Sequence, residues 1–188
     1  MIYRTLGRTG IKVSAISLGC EGFVGKSPAE AQEMMDFAIR NGINFIDIYS
    51  SDPELRSLIG GTLRGRRESF VIQGHLCSAW KNGQYERTRE LGETKAAFAD
   101  LLMRLETDYI DVGMIHYIDA VDDFHVVFDG EIIQYVRQLK TEGRIRSIGL
   151  SSHNPEVAHL AVKTGLIDEV GGIREALRYL YQQIEAGA

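Results

Sequence analysis

Short apolar runs alternate along this chain with longer amphipathic segments. The pattern opens with a predicted hairpin over residues 2–13, in which two strand-like runs flank the glycine-rich turn at residues 7–10. Apolar runs then recur at intervals, each followed by a segment with helical periodicity. The predicted strands lie at residues 15–18, 44–48, 70–72, 110–115 and 145–150, and a sixth begins at residues 166–167.

A helix is predicted after each of the five complete strands. The first has a capping box, because the Ser27 hydroxyl can accept from a backbone amide and Glu30 can reach back, with Pro28 at the first helical position. Its predicted apolar face comprises Met34, Met35, Phe37 and Ala38. The later helices are predicted around residues 55–63, 87–105, 131–141 and 155–163.

Short apolar strands separated by helices are typical of a parallel sheet covered on both faces. Such units build either an open doubly wound sheet or a closed barrel. Asp47, His75, His116 and Ser151 each stand near the C-terminal end of a different strand. In a barrel those ends converge on one mouth, where catalytic groups gather, so the pattern favours an α/β fold of the (β/α) TIM-barrel type.

The barrel is predicted to be incomplete. Eight units need about 250 residues, whereas the chain has 188. The tail is predicted as an amphipathic helix over residues 171–188, with Ile173, Leu177, Leu180 and Ile184 in one stripe. We therefore expect a single partial barrel over residues 1–188, with about five to six units and an N-terminal hairpin at residues 1–14. Association with another copy through the open edge would close it.

Composition narrows the possible partners. The chain is 44% hydrophobic and 25% charged with a formal net charge of -5, which gives no reason to expect nucleic acid or an acidic membrane surface. No signal-peptide pattern and no apolar run of membrane-spanning length is visible. Cys20 and Cys77 form no CxxC pair and are expected to be small buried hydrophobes, so a cytoplasmic location is predicted.

Three segments place candidate chemistry at strand ends. Asp47 could be a charge that tunes a neighbouring acid or base, or it could cap a helix. His116 could donate a hydrogen bond to a carbonyl group or bind a metal, or it could be a satisfied core histidine. Ser151, Ser152 and Asn154 suit a ligand that bears an amide, although Asn154 could instead cap the next helix.

The same segments resemble a known family. NFID at residues 44–47, LETDYIDVGMIH at 105–116 and GRIRSIGLSS at 143–152 follow one another as in the aldo/keto reductases, and the opening hairpin is similar too. The resemblance covers roughly residues 1–168 and is specific because the motifs coincide with the strand–helix units. It implies a barrel enzyme that transfers hydride from a nicotinamide cofactor, usually NADPH, to the carbonyl group of a small molecule.

The resemblance also implies a catalytic tetrad of Asp, Tyr, Lys and His, which this chain matches only in part. Asp47 and His116 match the Asp and the His. His75 stands at the Lys position, and Asp52 stands at the Tyr position, five residues after the Asp. Tyr49 could substitute for the missing Tyr through a different loop path. Because a histidine can be an acid near neutral pH, His75 and His116 together could polarise the carbonyl.

The cofactor site is expected to be weak or incomplete. The residues that bind the carboxamide in the family fall at Ser151 or Ser152 and at Asn154. The family's contacts to the pyrophosphate and the adenosine phosphate follow the sixth to eighth strands, beyond the similar region. NADP binding is therefore expected to be weak unless a partner chain completes the site.

Two alternatives stay open. One is a non-catalytic, truncated or engineered reductase scaffold, since fold alone does not establish function. The other is a metal-dependent hydrolase or isomerase in which Asp47, His75, His116 and His153 converge, although their spacing is not a local metal motif and no metal site is predicted.

Overall fold

The computed structural model describes residues 1–171. The strands are, in chain order, β1 (Tyr3–Thr5), β2 (Lys12–Ser14), β3 (Leu18–Gly19), β4 (Phe45–Ile48), β5 (Val71–Leu76), β6 (Ser78–Lys81), β7 (Gln84–Arg87), β8 (Ile110–Ile115), β9 (Ile145–Ser151) and β10 (Glu169–Gly171). The helices are α1 (Pro28–Arg40), α2 (Pro53–Leu63), α3 (Leu91–Arg104), α4 (Val121–Phe128), α5 (Glu131–Thr141) and α6 (Pro155–Lys163).

Six strands form one parallel sheet in the order β3-β4-β5-β8-β9-β10. Every residue of β8, at the centre of the sheet, is buried. Strand approach is close there: a Cβ on Gly113 would lie 2.8 Å from Cδ1 of Ile145. Among residues 1–171 the edge strands of this sheet are β3 and β10, and the predicted incomplete (β/α) barrel is confirmed. The antiparallel pair β1–β2 confirms the N-terminal hairpin.

Helix α1 begins as its sequence predicts. The backbone amide of Glu30 donates to the Ser27 hydroxyl at 3.3 Å, and the amide of Ser27 donates to the Glu30 carboxylate at 2.8 Å. Met35 and Ala38 are buried as predicted. The prediction for Phe37 is wrong, because its side chain is 59% exposed beside the open end of the sheet.

The first parallel strand starts later than the sequence predicts. A strand is predicted over residues 15–18, but β3 comprises Leu18–Gly19 only. Ser14 redirects the backbone, because its hydroxyl donates to the carbonyl of Ile16 at 2.6 Å and its amide donates to the Asn44 side chain at 2.7 Å. The residues between Ser14 and β3 are exposed and outside the sheet.

The sixth strand also starts later, at Glu169 instead of Leu166. Asp168 joins this segment to β9: its amide donates to the carbonyl of Ile148 at 2.8 Å, and its carboxylate accepts from the Ile148 amide at 3.0 Å. Ile167 is buried, so its apolar character reflects packing in the loop ahead of the strand. Gly171 ends β10, and the rest of the terminal helix predicted over 171–188 lies outside the described residues.

The region after β5 contains an antiparallel hairpin that the sequence analysis missed. The third helix, predicted from residue 87, begins at Leu91 as α3, while β6 and β7 pair with each other ahead of it. Asn82 and Gly83 form the turn with positive φ values of 52° and 78°, as a two-residue type I′ hairpin requires. Helix α4, between β8 and α5, was not predicted either.

Both cysteines are buried free thiols, as predicted, and burial raises the pKa of the Cys20 thiol to about 11. None of the helices within residues 1–171 is long and apolar enough to cross a membrane. The reducing, cytoplasmic location inferred from the cysteines stays a prediction.

Candidate functional site

The C-terminal ends of β4, β5 and β8 bring together three of the predicted site residues. Asp47 lies on β4, His75 on the neighbouring β5, and His116 directly after β8. Nδ1 of His75 is 2.7 Å from Nδ1 of His116. Nε2 of His75 lies 3.3 Å from Oδ1 of Asp47. The three side chains therefore lie in a row, from the Asp47 carboxylate through His75 to the half-buried imidazole of His116.

The Asp47–His75 contact is close, but the ring N–H is not aligned for a hydrogen bond, and Nε2 of His75 has no hydrogen-bond partner among residues 1–171. Instead, the side-chain amide of Gln73 donates to Oδ1 of Asp47 at 2.8 Å. Gln73 faces Asp47 in the β4–β5 register. The sequence analysis missed this residue, although its position two before His75 on one strand places both side chains on the same face.

Asp47 does not cap a helix. That role belongs to Asp52, whose carboxylate accepts from the amides of Glu54 at 2.8 Å and Leu55 at 3.3 Å at the start of α2. The residue at the expected Tyr position is therefore a helix cap that leaves the mouth without a phenol there.

His116 is held uncharged near neutral pH. Burial, the neighbouring His75 ring and the Arg89 guanidinium lower the pKa of His116 to about 3, against a smaller opposing effect of Asp47. A neutral imidazole has one donor and one acceptor nitrogen, so the contact between the two Nδ1 atoms contains a single proton. Which ring holds that proton determines whether Nε2 of His116 is a donor or an acceptor.

Arg89 fixes the segment that follows β8. Its guanidinium donates to the carbonyl of His116 at 3.1 Å and to that of Tyr117 at 2.9 Å. It also pairs with both carboxylate oxygens of Asp123, each at 2.7 Å. Tyr117 has a φ of 54°, a left-handed conformation that is costly for a bulky residue. These bonds hold the strained turn and the His116 ring in one orientation.

Tyr49 lies beside the histidines but its hydroxyl points elsewhere. Its ring centroid is 6.4 Å from that of His75, in an edge-to-face arrangement. The phenol donates a hydrogen bond to the carboxylate of Glu21. Tyr49 is therefore close in space, as the sequence suggests, while its hydroxyl group is committed to another partner.

The three residues predicted to bind a carboxamide differ in how many hydrogen bonds their side chains already make. Ser152 is buried, and its hydroxyl lies 3.3 Å from Asp119 and 3.2 Å from the carbonyl of Asn154. The Asn154 side chain caps α6 through the Glu156 amide at 2.9 Å and donates to the carbonyl of Asp119. Ser151 is half-buried at the mouth, and its hydroxyl accepts from the Tyr117 amide at 2.8 Å and donates to the carbonyl of Ile115 at 3.5 Å, a longer donor bond than those of Ser152.

His153 does not join the histidine pair. Its Nδ1 is 3.0 Å from Oδ2 of Asp119, and its side chain is 57% exposed. Within residues 1–171, no three His, Cys, Asp or Glu side chains are grouped so that they could hold a metal ion. The convergence of His153 with Asp47, His75 and His116 that a metal-dependent hydrolase would need is not observed.

Glu169, at the start of β10, was not foreseen as a site residue. Burial, with a contribution from the Asp47 charge, raises the pKa of its carboxyl to about 7. One carboxyl oxygen is buried without a partner in the described part of the chain. The sequence offered no signal, because Glu169 lies outside the predicted strand ends.

Comparison with known proteins fits this arrangement. Residues 15–170 match the family model described as the aldo/keto reductase family. The oxidoreductase YqkF of Bacillus subtilis is 30% identical over 164 residues, which cover 85% of this chain and 52% of the relative. The L-galactose dehydrogenase of Arabidopsis thaliana is 32% identical over 159 residues, covering 79% and 47% respectively.

A solved structure shows the same relation in three dimensions. The aldo-keto reductase AKR11C1 of Bacillus halodurans, in its holo form, superposes with a TM-score of 0.78 at 29% identity, covering 90% of this chain and 56% of that one. The chain thus spans about half the length of the curated relatives it matches. From strand order, the grouped strand-end residues and the match over residues 15–170, this chain belongs to the aldo/keto reductase family.

Proposed function

We propose that the protein is an NAD(P)H-dependent oxidoreductase that reduces the carbonyl groups of small molecules through an Asp47–His75–His116 relay. The observation behind this proposal is the 2.7 Å contact between the two Nδ1 atoms, backed by Asp47 at 3.3 Å. A histidine pair next to a carboxylate can store one proton and release it to a substrate oxygen. The relay replaces the Tyr and Lys that the family resemblance leads one to expect.

The stored proton has a preferred place. In the protonated form of the pair that the proposal requires, His75 carries a proton on each ring nitrogen, with Asp47 facing Nε2. Nδ1 of His75 then donates to Nδ1 of His116, and Nε2 of His116 becomes a donor. In the neutral pair, Asp47 keeps the proton of His75 on Nε2, His116 donates from Nδ1, and its Nε2 becomes an acceptor. One proton therefore switches the pair between acid and base.

The reaction follows from that switch. The nicotinamide, when bound, supplies a hydride to the carbonyl carbon. The carbonyl oxygen takes the electron pair of the broken π bond together with the proton on Nε2 of His116. Nδ1 of His116 takes the proton of Nδ1 of His75 in the same event, and the pair ends uncharged. Alcohol oxidation is the reverse and starts from the neutral pair.

Within this chain the cofactor site is partial, which supports weak binding. Ser151 can offer its hydroxyl to the carboxamide, while Ser152 and Asn154 are engaged in holding the turn before α6. NADP is the proposed cofactor. The engagement of Ser152 and Asn154 also favours a second candidate function, a non-catalytic reductase scaffold.

The test compares NADPH oxidation by the wild-type protein with His75→Ala and His116→Ala, across a panel of aldehydes and quinones. We expect each substitution to lower kcat/KM by about 100-fold or more, as loss of a general acid does. Carbonyl reduction takes up one proton and alcohol oxidation releases one, so low pH should favour reduction and high pH should favour alcohol oxidation with NADP. His125→Ala, on the exposed face of α4, is the matched control and should behave as wild type.

Turnover that is unaffected by either substitution would contradict the relay. Fluorescence of Trp80, the single tryptophan, reports cofactor binding independently, because its strand β6 leads directly from the mouth. Absence of saturable NADPH binding would favour the scaffold instead.

We also propose that a second copy of the chain covers the open end of the barrel beside β3. An apolar groove there is formed by Leu18, Met34, Phe37, Ala38 and Ile43. Two basic and two acidic side chains, Lys26, Arg40, Glu30 and Glu33, also line it. A groove with balanced charges of both signs is complementary to itself under two-fold symmetry, which suits a second copy better than a partner of one sign.

A further inference from the structure

The hairpin β6–β7 places a tyrosine over the histidine pair. The centroid of the Tyr85 ring is 6.1 Å from that of His116 and 5.3 Å from that of Tyr49, with interplanar angles of 80° and 81°. Tyr49 in turn meets His75, whose ring centroid is 4.9 Å from that of His116. The four rings thus form a closed circuit of edge-to-face contacts around the end of the relay.

Tyr85 differs from Tyr49 in the state of its hydroxyl group. The Tyr49 hydroxyl is bound to Glu21, whereas that of Tyr85 has no hydrogen-bond partner among residues 1–171. The Tyr85 side chain is 45% exposed, so it borders the open mouth. A phenol without a partner beside a proton-donating imidazole is available to a polar ligand that approaches the same imidazole.

The hairpin holds Tyr85 in place. Lys81 pairs with Glu93 of α3 at 2.7 Å, and the amide of Thr88 donates to the carbonyl of Cys77 at 2.9 Å across its base. Arg87, the last residue of β7, donates to the carbonyl of Tyr117 at 3.3 Å. A donor on such an anchored element needs little reorganisation when charge develops next to it.

We propose that Tyr85 is a catalytic residue whose hydroxyl donates a hydrogen bond to the substrate oxygen beside His116. The inference rests on the proposed reductase function. As the hydride reaches the carbonyl carbon, negative charge develops on the oxygen, which accepts hydrogen bonds from Tyr85 and from Nε2 of His116. The proton that is transferred comes from His116, and Tyr85 keeps its own, so the product is a neutral alcohol and the histidine pair has lost one proton.

The experiment uses Tyr85→Phe, with Tyr135→Phe on α5 as the matched control that removes a phenol remote from the mouth. The first readout is carbonyl reduction. Loss of one oxyanion donor is expected to lower kcat by about 100-fold. The pH midpoint of the reaction should stay where it is in the wild type, because Tyr85 does not supply the proton.

The second readout needs neither cofactor nor turnover. Benzoate presents an anionic oxygen that resembles the developing alkoxide, and its binding is followed through Trp80, which faces Tyr85 in the β6–β7 register. Loss of one hydrogen bond to a charged oxygen should weaken the benzoate Kd about tenfold in Tyr85→Phe. Tyr135→Phe should bind benzoate as the wild type does.

The outcomes separate the two proposals. Weaker benzoate binding by Tyr85→Phe supports the donor site even if the wild type fails to oxidise NADPH, which would remove only the reductase function. Unchanged benzoate binding, or no benzoate binding by the wild type, overturns the inference. So does a shifted pH midpoint in Tyr85→Phe, which would make Tyr85 the proton source. If His116→Ala abolishes turnover while Tyr85→Phe retains it, the relay stands and the role of Tyr85 falls.

Discussion

Glu169 illustrates how a single half-buried carboxyl, with one oxygen shielded from water, couples stability to pH. Its pKa is raised to about 7, mainly by burial. The folded state therefore binds a proton more tightly than the unfolded state, in which the pKa of this carboxyl is near its ordinary value of 4.5. The contribution of this group to stability is fully present below the unfolded pKa and is lost as pH rises through the folded one.

We expect the free energy of unfolding to fall by about 2–3 kcal/mol between pH 4.5 and pH 7.5 from this group alone. Glu169→Gln should remove that fall, because the amide does not titrate. Urea unfolding followed by circular dichroism at several pH values measures the difference between the variant and the wild type. Glu142→Gln, at the exposed end of α5, is the control and should retain the wild-type slope. Equal slopes for Glu169→Gln and wild type would contradict the assignment.

At the scale of single residues, the sequence was sufficient to find those that lie at the C-terminal end of a strand. Asp47, His75 and His116 could be found because parallel strands bring their C-terminal ends together. Tyr85 and Glu169 could not, since their positions depend on a hairpin packing back over the mouth and on a sixth strand that starts three residues later than its apolar run. Contacts of this kind arise from tertiary packing and leave no local periodicity.

Helices α2 and α3 approach so closely that one glycine in α2 is structurally required. A Cβ on Gly60 would lie 2.0 Å from the carbonyl oxygen of Arg104, at the end of α3. The next residue, Gly61, is exposed and would have nothing within 4 Å of an added Cβ. The two neighbours therefore make a matched pair for the same substitution.

Gly60→Ala is expected to destabilise the protein by about 1–3 kcal/mol, because α3 must move away from α2. Gly61→Ala should be neutral or stabilise it by about 0.5–1 kcal/mol through the lower entropy of the unfolded chain. Chemical unfolding of both variants beside the wild type gives the comparison. Equal effects of the two substitutions would show that helix propensity, and not the contact with α3, controls this site.

At the scale of elements, the local signals for helix starts were reliable, whereas the hairpin was misjudged. The capping box at Ser27 and the prolines at the starts of α1 and α6 mark their helices in the sequence. The hairpin had a usable signal in Asn82-Gly83, a dipeptide typical of type I′ turns. The helix was instead predicted from its amphipathic pattern around residues 87–105, although α3 begins at Leu91.

Residues 1–171 form a half barrel whose parallel sheet has β3 and β10 as its two edge strands. A parallel sheet is normally stable only when both of its faces and its edges are covered. The sequence predicted this incompleteness from length, because about 250 residues are needed for eight units. The sequence could not show where the exposed apolar surface lies, since that depends on how α1 packs beside β3.

The apolar groove beside β3 leads to a prediction about self-association in solution. Phe37 is 59% exposed at its centre, next to Leu18 and Met34. Burying such side chains between two copies would contribute about 25 cal/mol for each Å² removed from water. An arginine at Phe37 would remove the apolar contact and would have to lose water from its charged group in the interface, which costs more than an exposed pair with the nearby Glu33 returns.

We therefore expect light scattering to report a dimer for the wild type and a monomer for Phe37→Arg at the same concentration. Met103→Arg, on the exposed side of α3 and 65% exposed in the wild type, introduces the same charge away from the groove and should leave the dimer intact. A wild type that is monomeric at high concentration, or a Phe37→Arg variant that stays dimeric, would show that the groove is not the interface. Because the groove lies at the β3 end and the relay at the strand ends of β4, β5 and β8, loss of the dimer should leave benzoate binding at the mouth unchanged.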